Sequence, residues 1–182
     1  NFQLEALVPV VRGEMRCRIH AHRSDDIMTA VKIAEEFHLD YTIEHCTEGY
    51  MIVDALKRHH VRATIGPYLW GPEKQELWNM SMENPGILAQ NGIDIALTAD
   101  DGSRTAYLPA TIGLLLRRGL SEKAAFEGVT IQPARTLQLE DRIGSLEPGK
   151  DADIAIFDGH PFSSLSACRM TIIDGKIVHN TL

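Results

Sequence analysis

Hydrophobic and polar residues in the first hundred positions form four short strand-like runs, separated by longer stretches with helical periodicity. In the strand-like runs, apolar residues are adjacent or alternate with polar ones. The pattern predicts β-strands at Met15–His22, Tyr41–Cys46, Arg62–Pro67 and Asp94–Asp100. Glycine and proline interrupt regular structure, so Gly66-Pro67 is expected to end the third strand.

The segments between and after these runs have apolar residues at helical spacing. Ser24-Asp-Asp26 has the form of an N-cap followed by an acidic first turn. Ser121 is predicted to cap a later helix, and Gly119 to end the helix before it. A looser helical region is predicted from about Pro72 to Gln90, interrupted by Asn84-Pro85-Gly86. The other predicted helices are Ile27 to about Leu39, Gly49–His60, Tyr107–Arg118 and Thr130–Leu139.

Strand and helix alternate four times, which predicts βαβ units and a parallel sheet. After Leu139 the pattern changes to a turn-rich segment and then short strands at Ala152–Phe157 and Met170–Val178, with a hairpin turn at Asp174-Gly175. The predicted organisation is an α/β body over residues 1–139 and a small β unit over residues 140–182. The opening Leu4–Arg12 resembles the middle of a helix, which suggests a fragment or a processed product.

Composition narrows the classes of function. The net charge of −7 is spread without long runs, which argues against nucleic-acid binding. No apolar run approaches the roughly 20 residues of a membrane-spanning helix. The apolar fraction of 44% is ordinary for a globular protein. The three cysteines are far apart and odd in number, which favours free thiols and a cytoplasmic protein.

Chemically capable residues occur where the predicted strands end. His20 and His22 are two positions apart and therefore project from one face of a strand. On their own they are best explained as solvated histidines at a strand end. His45 ends the second strand, however, and Asp100 ends the fourth. In parallel barrels the active site lies at these carboxyl ends, and two histidines with an aspartate suit an open catalytic metal site.

Five segments resemble the C-terminal half of the amidohydrolase superfamily, nearest to its imidazolonepropionase- and prolidase-like branch. The most specific is the run from Gly144 to Asp153, GSLEPGKDAD, which follows a helix. Together the segments span almost the whole chain. They are Ile19-His-Ala-His22, Ile43-Glu-His45, Leu97-Thr-Ala-Asp100, Thr130–Ala134 and Ile143–Ile154.

The resemblance implies a fold and a set of site residues. Residues 1–139 would supply strands five to eight of a distorted (β/α)₈ barrel, and residues 140–182 part of a small β-sandwich. His20 and His45 would be metal ligands, and His45 also a catalytic group. Asp100 would be both a metal ligand and the general base. The metal would be divalent, with zinc expected, as one or two ions in the intact protein. His22 and Lys74 are assigned to substrate binding. The alternatives are a hydrogen bond from His22 to a loop and, for Lys74, a position on a solvated helix face.

The implied activity is hydrolysis of an amide or other C–N bond in a small molecule by metal-activated water. The family's His-x-His on its first strand and its lysine on the fourth are absent from this chain, so the fragment alone is expected to be inactive. Open sheet edges predict a homodimer or another association that covers the half-barrel. The alternatives are a non-catalytic binding or assembly scaffold, and a deaminase of the same superfamily.

Several residues near the site also have structural explanations. Asp100 suits an N-cap or a turn, and alternation along the second strand places Glu44 at the interface between sheet and helices. Trp70 and Trp78 are candidates for a pocket lid, with ordinary packing as the alternative. Met80 is expected only to pack.

Overall fold

A four-stranded parallel sheet forms the centre of the computed structural model, which describes residues 2–69, 71 and 74–182. The strands follow one another in chain order, β1-β2-β3-β4, so each is the neighbour of the next. This confirms the α/β class and the parallel sheet. The strands are β1 (Cys17–Ala21), β2 (Tyr41–His45), β3 (Ala63–Ile65) and β4 (Ile95–Leu97).

Helices connect the strands and continue after β4. In the described part of the chain they are α1 (Phe2–Glu5), α2 (Val8–Val11), α3 (Ser24–Glu36), α4 (Val53–Arg58), α5 (Asn84–Gln90), α6 (Gly102–Thr105), α7 (Leu108–Arg117), α8 (Glu122–Val129) and α9 (Ile131–Thr136), with 3₁₀ turns at Gly49–Met51 and Gln75–Leu77. The predicted cap at Ser121 is confirmed, since its hydroxyl accepts from Ala124 N. No helix in these described ranges has both the length and the apolar character that crossing a membrane requires.

Three local predictions need correction. Asn84-Pro85-Gly86 begins α5 instead of interrupting a helix, because proline in the first helical turn loses no hydrogen bond. The helix predicted over Gly49–His60 is a 3₁₀ turn followed by α4, with a break at Ile52. The opening segment forms two short helices, α1 and α2, neither of which buries a residue.

One face of the sheet packs against the helices and forms the core. Ile43, Ile65 and Leu97 on this face are buried in one cluster with helical residues such as Val31 of α3 and Ile112 of α7. Burial of each large aliphatic side chain stabilises the fold by roughly 1.5–3 kcal/mol, so this cluster is the main source of stability.

The other face of the sheet is polar, and it corrects the prediction for Glu44. In the parallel register Glu44 pairs with His20 and with Thr64, and all three lie on this face. Glu44 accepts two hydrogen bonds of 2.8 Å from the guanidinium of Arg18 and one of 3.1 Å from the Thr64 hydroxyl. Glu44 is therefore part of a polar network on the face opposite the helices.

The last part of the chain forms a three-stranded antiparallel sheet. Its strands are β5 (Ile154–Phe157), β6 (Cys168–Ile173) and β7 (Lys176–Asn180), in that order. Asp174-Gly175 connects β6 and β7 as predicted. Phe162, between β5 and β6, is buried in the main core, so this part of the chain is anchored to the α/β body.

A charge network joins the amino-terminal starts of three strands. A charged residue directly precedes each of these strands: Arg16 before β1, Asp40 before β2 and Arg62 before β3. Arg16 Nε donates to Asp40 Oδ2 at 2.9 Å, and Arg62 donates to the other carboxylate oxygen. Burial alone would raise the pKa of Asp40, but hydrogen bonds from both arginines outweigh it and lower that pKa.

Replacing Asp40 with asparagine should reduce the free energy of unfolding by about 1 kcal/mol, because the ion pairs are only partly buried. The folded-state pKa of Asp40 is lowered, so its contribution is present above the ordinary carboxyl pKa and is lost as pH falls through the folded-state value. Urea unfolding of both proteins at about pH 7 and about pH 3 measures this. The deficit should shrink at the lower pH, and an equal deficit at both would contradict the assignment.

Candidate metal centre

Three histidines meet at the carboxyl ends of β1 and β2. His20 lies within β1, His22 immediately follows it, and His45 ends β2. Their ring centroids are 4.5–4.6 Å apart. One ring nitrogen from each lies within 4.8 Å of the other two. Three imidazole nitrogens at this spacing suit a divalent metal of borderline softness, of which zinc is the commonest example.

The backbone at the end of β2 directs His45 into this cluster. His45 and Cys46 both have left-handed backbone conformations, with φ of 69° and 45°. Regular alternation would place His45 on the same face as Ile43, toward the helices. The change of backbone conformation turns the imidazole toward His20 instead.

A hydrogen bond fixes which nitrogen of His45 is available. Its Nδ1 lies 2.5 Å from the carbonyl oxygen of Gly66. A carbonyl only accepts, so Nδ1 carries the proton and Nε2 keeps its lone pair in the neutral ring. Metal-binding histidines commonly have their second nitrogen held in this way. Gly66-Pro67 was predicted only to end a strand, and its hydrogen bond with His45 was not predicted.

The ring of His22 is buried next to the hydroxyl group of Thr47. Its Nδ1 lies 2.7 Å from Thr47 Oγ1, and both residues are buried. Burial, followed by the proximity of His45 and His20, lowers the pKa of His22 to about 4. The pKa of His20 is also lowered, by burial and then by His45. The lowered pKa values favour the neutral form of both rings, which is the form that binds metals.

A cavity of about 100 Å³ brings all five predicted site residues together. It extends from the histidine cluster to Asp100 at the end of β4 and to Lys74 after β3. Three further lining residues, Thr47, Leu77 and Met80, were not predicted to be in the site, although Met80 was expected to pack. The residues that line the cavity are His20, His22, His45, Thr47, Gly66, Pro67, Lys74, Leu77, Met80 and Asp100.

Asp100 reaches this cavity because its neighbour caps the next helix. Asp101 is the N-cap of α6, and its carboxylate accepts from Arg104 N and from the Ser103 hydroxyl. Asp100 has a left-handed backbone, φ 62°, and its N–H donates to Thr98 Oγ1 at 3.0 Å. The N-cap explanation for Asp100 is therefore wrong, and its side chain faces the cavity with the histidines.

The segment after β3 contributes charged groups to one side of the cavity. Lys74 Nζ lies 3.4 Å from Glu76 Oε1, and that oxygen is 3.8 Å from His22 Nε2. Trp70 lies outside the described residues. Trp78 is 67% exposed and is not among the cavity-lining residues, so it does not form a lid there.

The parallel α/β fold and the histidine cluster at its carboxyl edge define a candidate metal centre. The model of the amidohydrolase family matches residues 10–179. The chain belongs to the amidohydrolase family. This confirms the family that its sequence motifs predicted. Proteins of this family are typically metal-dependent, and the nitrogen donors of the histidine cluster fit such a metal.

Solved structures support the family and the fold. The chain superposes over its full length on an amidohydrolase from Thermotoga maritima MSB8 with a TM-score of 0.94 and 38% identity, and it spans 48% of that chain. It also superposes, over 94% of its length and with a TM-score of 0.71, on 47% of a prolidase complexed with N-methylphosphonate-L-proline. Identity to the prolidase is 16%, so this second likeness concerns the fold alone.

Two relatives are similar to about half of the chain. Adenine deaminase 2 of Jannaschia sp. is 41% identical over 88 residues, which are 46% of this chain and 14% of that protein. Imidazolonepropionase of Geobacillus thermodenitrificans is 35% identical over 103 residues, which are 51% of this chain and 24% of that protein. The matched regions therefore span a quarter or less of these relatives' own lengths.

Proposed function

We propose that this chain supplies part of the active site of a metal-dependent hydrolase that cleaves C–N bonds in small molecules. The observation that carries the proposal is that His20, His45 and Asp100, at the carboxyl ends of three parallel strands, line one and the same cavity. Active sites of parallel α/β barrels lie at this edge. Family membership makes C–N hydrolysis the expected reaction class.

In this proposal His20, His45 and Asp100 hold a divalent metal, with zinc expected from the nitrogen donors. When bound, such a metal polarises a carbonyl or C=N group and makes water a stronger nucleophile. The carboxylate of Asp100 takes a proton from the attacking water and passes it to the leaving nitrogen. The Gly66 carbonyl keeps His45 in the tautomer whose Nε2 is available. His22 and Lys74, on the cavity wall, are in reach of a substrate.

The fold proposal is that residues 1–139 form strands five to eight of a (β/α)₈ barrel and residues 140–182 part of a β-sandwich. The support is the 0.94 TM-score over 48% of the Thermotoga chain. The polar face with Arg18, Glu44 and Thr64 would then line the barrel interior. β1 and β4 are the edges of the observed sheet, and association of the chain through them would cover this half-barrel.

A deaminase is the second candidate. The observation that favours it is the 41% identity to adenine deaminase 2 over 88 residues. Hydrolysis at a C=N carbon releases ammonia, and it needs the same proton transfer by Asp100 as amide hydrolysis. The two candidates differ in product: an amidase gives a carboxylate and an amine, and a deaminase gives ammonia.

A chimera tests the proposed function. It joins this chain to the part of the Thermotoga amidohydrolase that the superposition leaves uncovered. With zinc, the chimera should hydrolyse at least one member of a panel of cyclic amides, dipeptides and aminopurines. This chain alone should hydrolyse none of them, and light scattering should show that it is a dimer. Assays for carboxylate and for ammonia separate the two candidates.

Two outcomes would contradict the proposal. A folded, metal-loaded chimera without turnover on any panel member would favour a non-catalytic scaffold. Comparable turnover by this chain alone would show that no complementary strands are needed. A clean monomer by light scattering would contradict the proposed association through the open sheet edges.

A further inference from the structure

We propose that His22 is a third nitrogen ligand of the metal site and that the Thr47 hydroxyl is its positioning group. The inference rests on the metal site of the proposed function, but it changes the role of His22 from substrate contact to ligand. It also implies that this chain binds a divalent metal by itself, through three imidazoles on two adjacent strands.

The first support is the position of His22 relative to the other two rings. His20 and His22 are two residues apart, so both project from the polar face of the sheet. The His22 ring stacks on His45 at 4.6 Å, with an interplanar angle of 16°, and meets the edge of His20 at the same distance. A ring that only contacted substrate would not need to lie within 4.8 Å of both other nitrogens.

The second support is the way the backbone holds Thr47 against His22. Cys46 N donates to Ala21 O at 3.0 Å, and Glu48 N donates to His22 O at 2.9 Å. These two bonds continue the pairing of β1 and β2 past the ends of both strands. Thr47 lies between them, so its hydroxyl is fixed beside His22 Nδ1 by the same contacts that fix His22.

The third support is the chemistry of the Thr47 hydroxyl. A neutral imidazole carries one proton, and a ring that binds metal through Nε2 must carry it on Nδ1. Thr47 Oγ1, 2.7 Å away, is an acceptor for that proton. The site is buried, so without this acceptor the Nδ1 proton would lack a partner after metal binding. Gly66 serves His45 in the same way.

Glu76 provides the competing explanation for His22. Its carboxylate is 3.8 Å from His22 Nε2, beyond direct hydrogen-bond distance. If His22 were a structural residue facing Glu76, the proton would sit on Nε2 and Thr47 would donate to Nδ1. Metal affinity would then be independent of the acceptor at position 47. The two explanations therefore predict different effects of the same substitution.

The test is metal binding by the 182-residue chain. Cobalt(II) absorption and zinc calorimetry measure the binding, and X-ray absorption counts the imidazoles bound to the metal. The parent should bind one ion with three imidazoles. His22→Ala and His22→Gln should each leave two imidazoles and weaken binding by roughly tenfold or more. Thr47→Val should weaken it by roughly 10- to 100-fold, as loss of an orienting partner does, and Thr47→Ser should restore it.

His59→Ala is the matched control, since His59 bonds to Glu35 away from the cavity and its loss should leave metal affinity unchanged. Circular dichroism confirms that each variant is folded. The inference would be overturned if the unsubstituted chain bound no metal, or if a folded His22 variant still bound metal through three imidazoles. It would also be overturned if folded Thr47→Val bound metal as tightly as the unsubstituted chain. These readouts do not use turnover, so an inactive chimera with a three-imidazole chain would contradict only the proposed function.

Discussion

Replacing Gly66 with alanine should destabilise the chain by about 3 kcal/mol or more and weaken its affinity for metal. A Cβ atom at this position would lie 2.2 Å from the carbonyl oxygen of Thr98, an atom of the neighbouring strand end that has little freedom to move. Gly66 also has φ of 129°, a conformation that residues with side chains rarely adopt. Its carbonyl accepts from His45 Nδ1, so a backbone shift here would misplace a proposed ligand.

Gly92→Ala provides a control for backbone conformation alone. Gly92 also has a positive φ, 78°, but a Cβ atom there would meet nothing within 4 Å. Its expected cost is therefore smaller, about 1 kcal/mol. Urea unfolding and zinc calorimetry on both variants test the distinction. Equal losses of stability, or parental metal affinity in Gly66→Ala, would contradict the role assigned to this strand end.

Replacing Asp100 with asparagine should reduce the turnover number of the chimera by about a thousandfold, within the range known for loss of a general acid–base group. Asparagine has nearly the same shape, but it cannot take the proton from water. Three imidazoles remain, so the isolated chain should still bind metal. Steady-state kinetics on the chimera and calorimetry on the chain measure the two effects separately.

Asp101→Asn is a control one residue away. Asp101 caps α6, and asparagine is also a good N-cap, so neither turnover nor folding should change. Comparable losses of turnover in Asp100→Asn and Asp101→Asn would indicate that the loop after β4 matters only as structure. Full turnover in Asp100→Asn would exclude Asp100 as the base.

Local pattern was sufficient to predict the α/β class, the four parallel strands and the residues at their ends. The reason is that strand and helix periodicities are local, and parallel strands joined by short helices must present their carboxyl ends at one edge. His20, His22 and Asp100 follow from this rule together with the motifs around them. The predicted second strand begins at Tyr41 as observed, and the other strand bounds differ by one to three residues, where the backbone begins to turn.

The orientation of His45 and Glu44 was decided by the tertiary structure. With His45 taken to face the site, alternation predicts Glu44 against the helices, but the register with His20 and Thr64 places Glu44 on the polar face. The prediction fails because alternation stops at His45, whose backbone is left-handed. The left-handed turn at His45 is held by the bond from its ring to Gly66, 21 residues away, and by the bond from Cys46 N to Ala21 O. No local pattern contains these long-range bonds.

The sequence by itself determined which residues reach the carboxyl edge of the sheet, because that depends on short-range periodicity. Only the tertiary structure decided how they face one another there. Thr47 beside His22, the Gly66 carbonyl beside His45, and Asp101 as the cap that leaves Asp100 in the cavity depend on backbone turns after the strands end. In those turns side-chain direction is set by hydrogen bonds between neighbouring segments, and the regular alternation of a strand no longer applies.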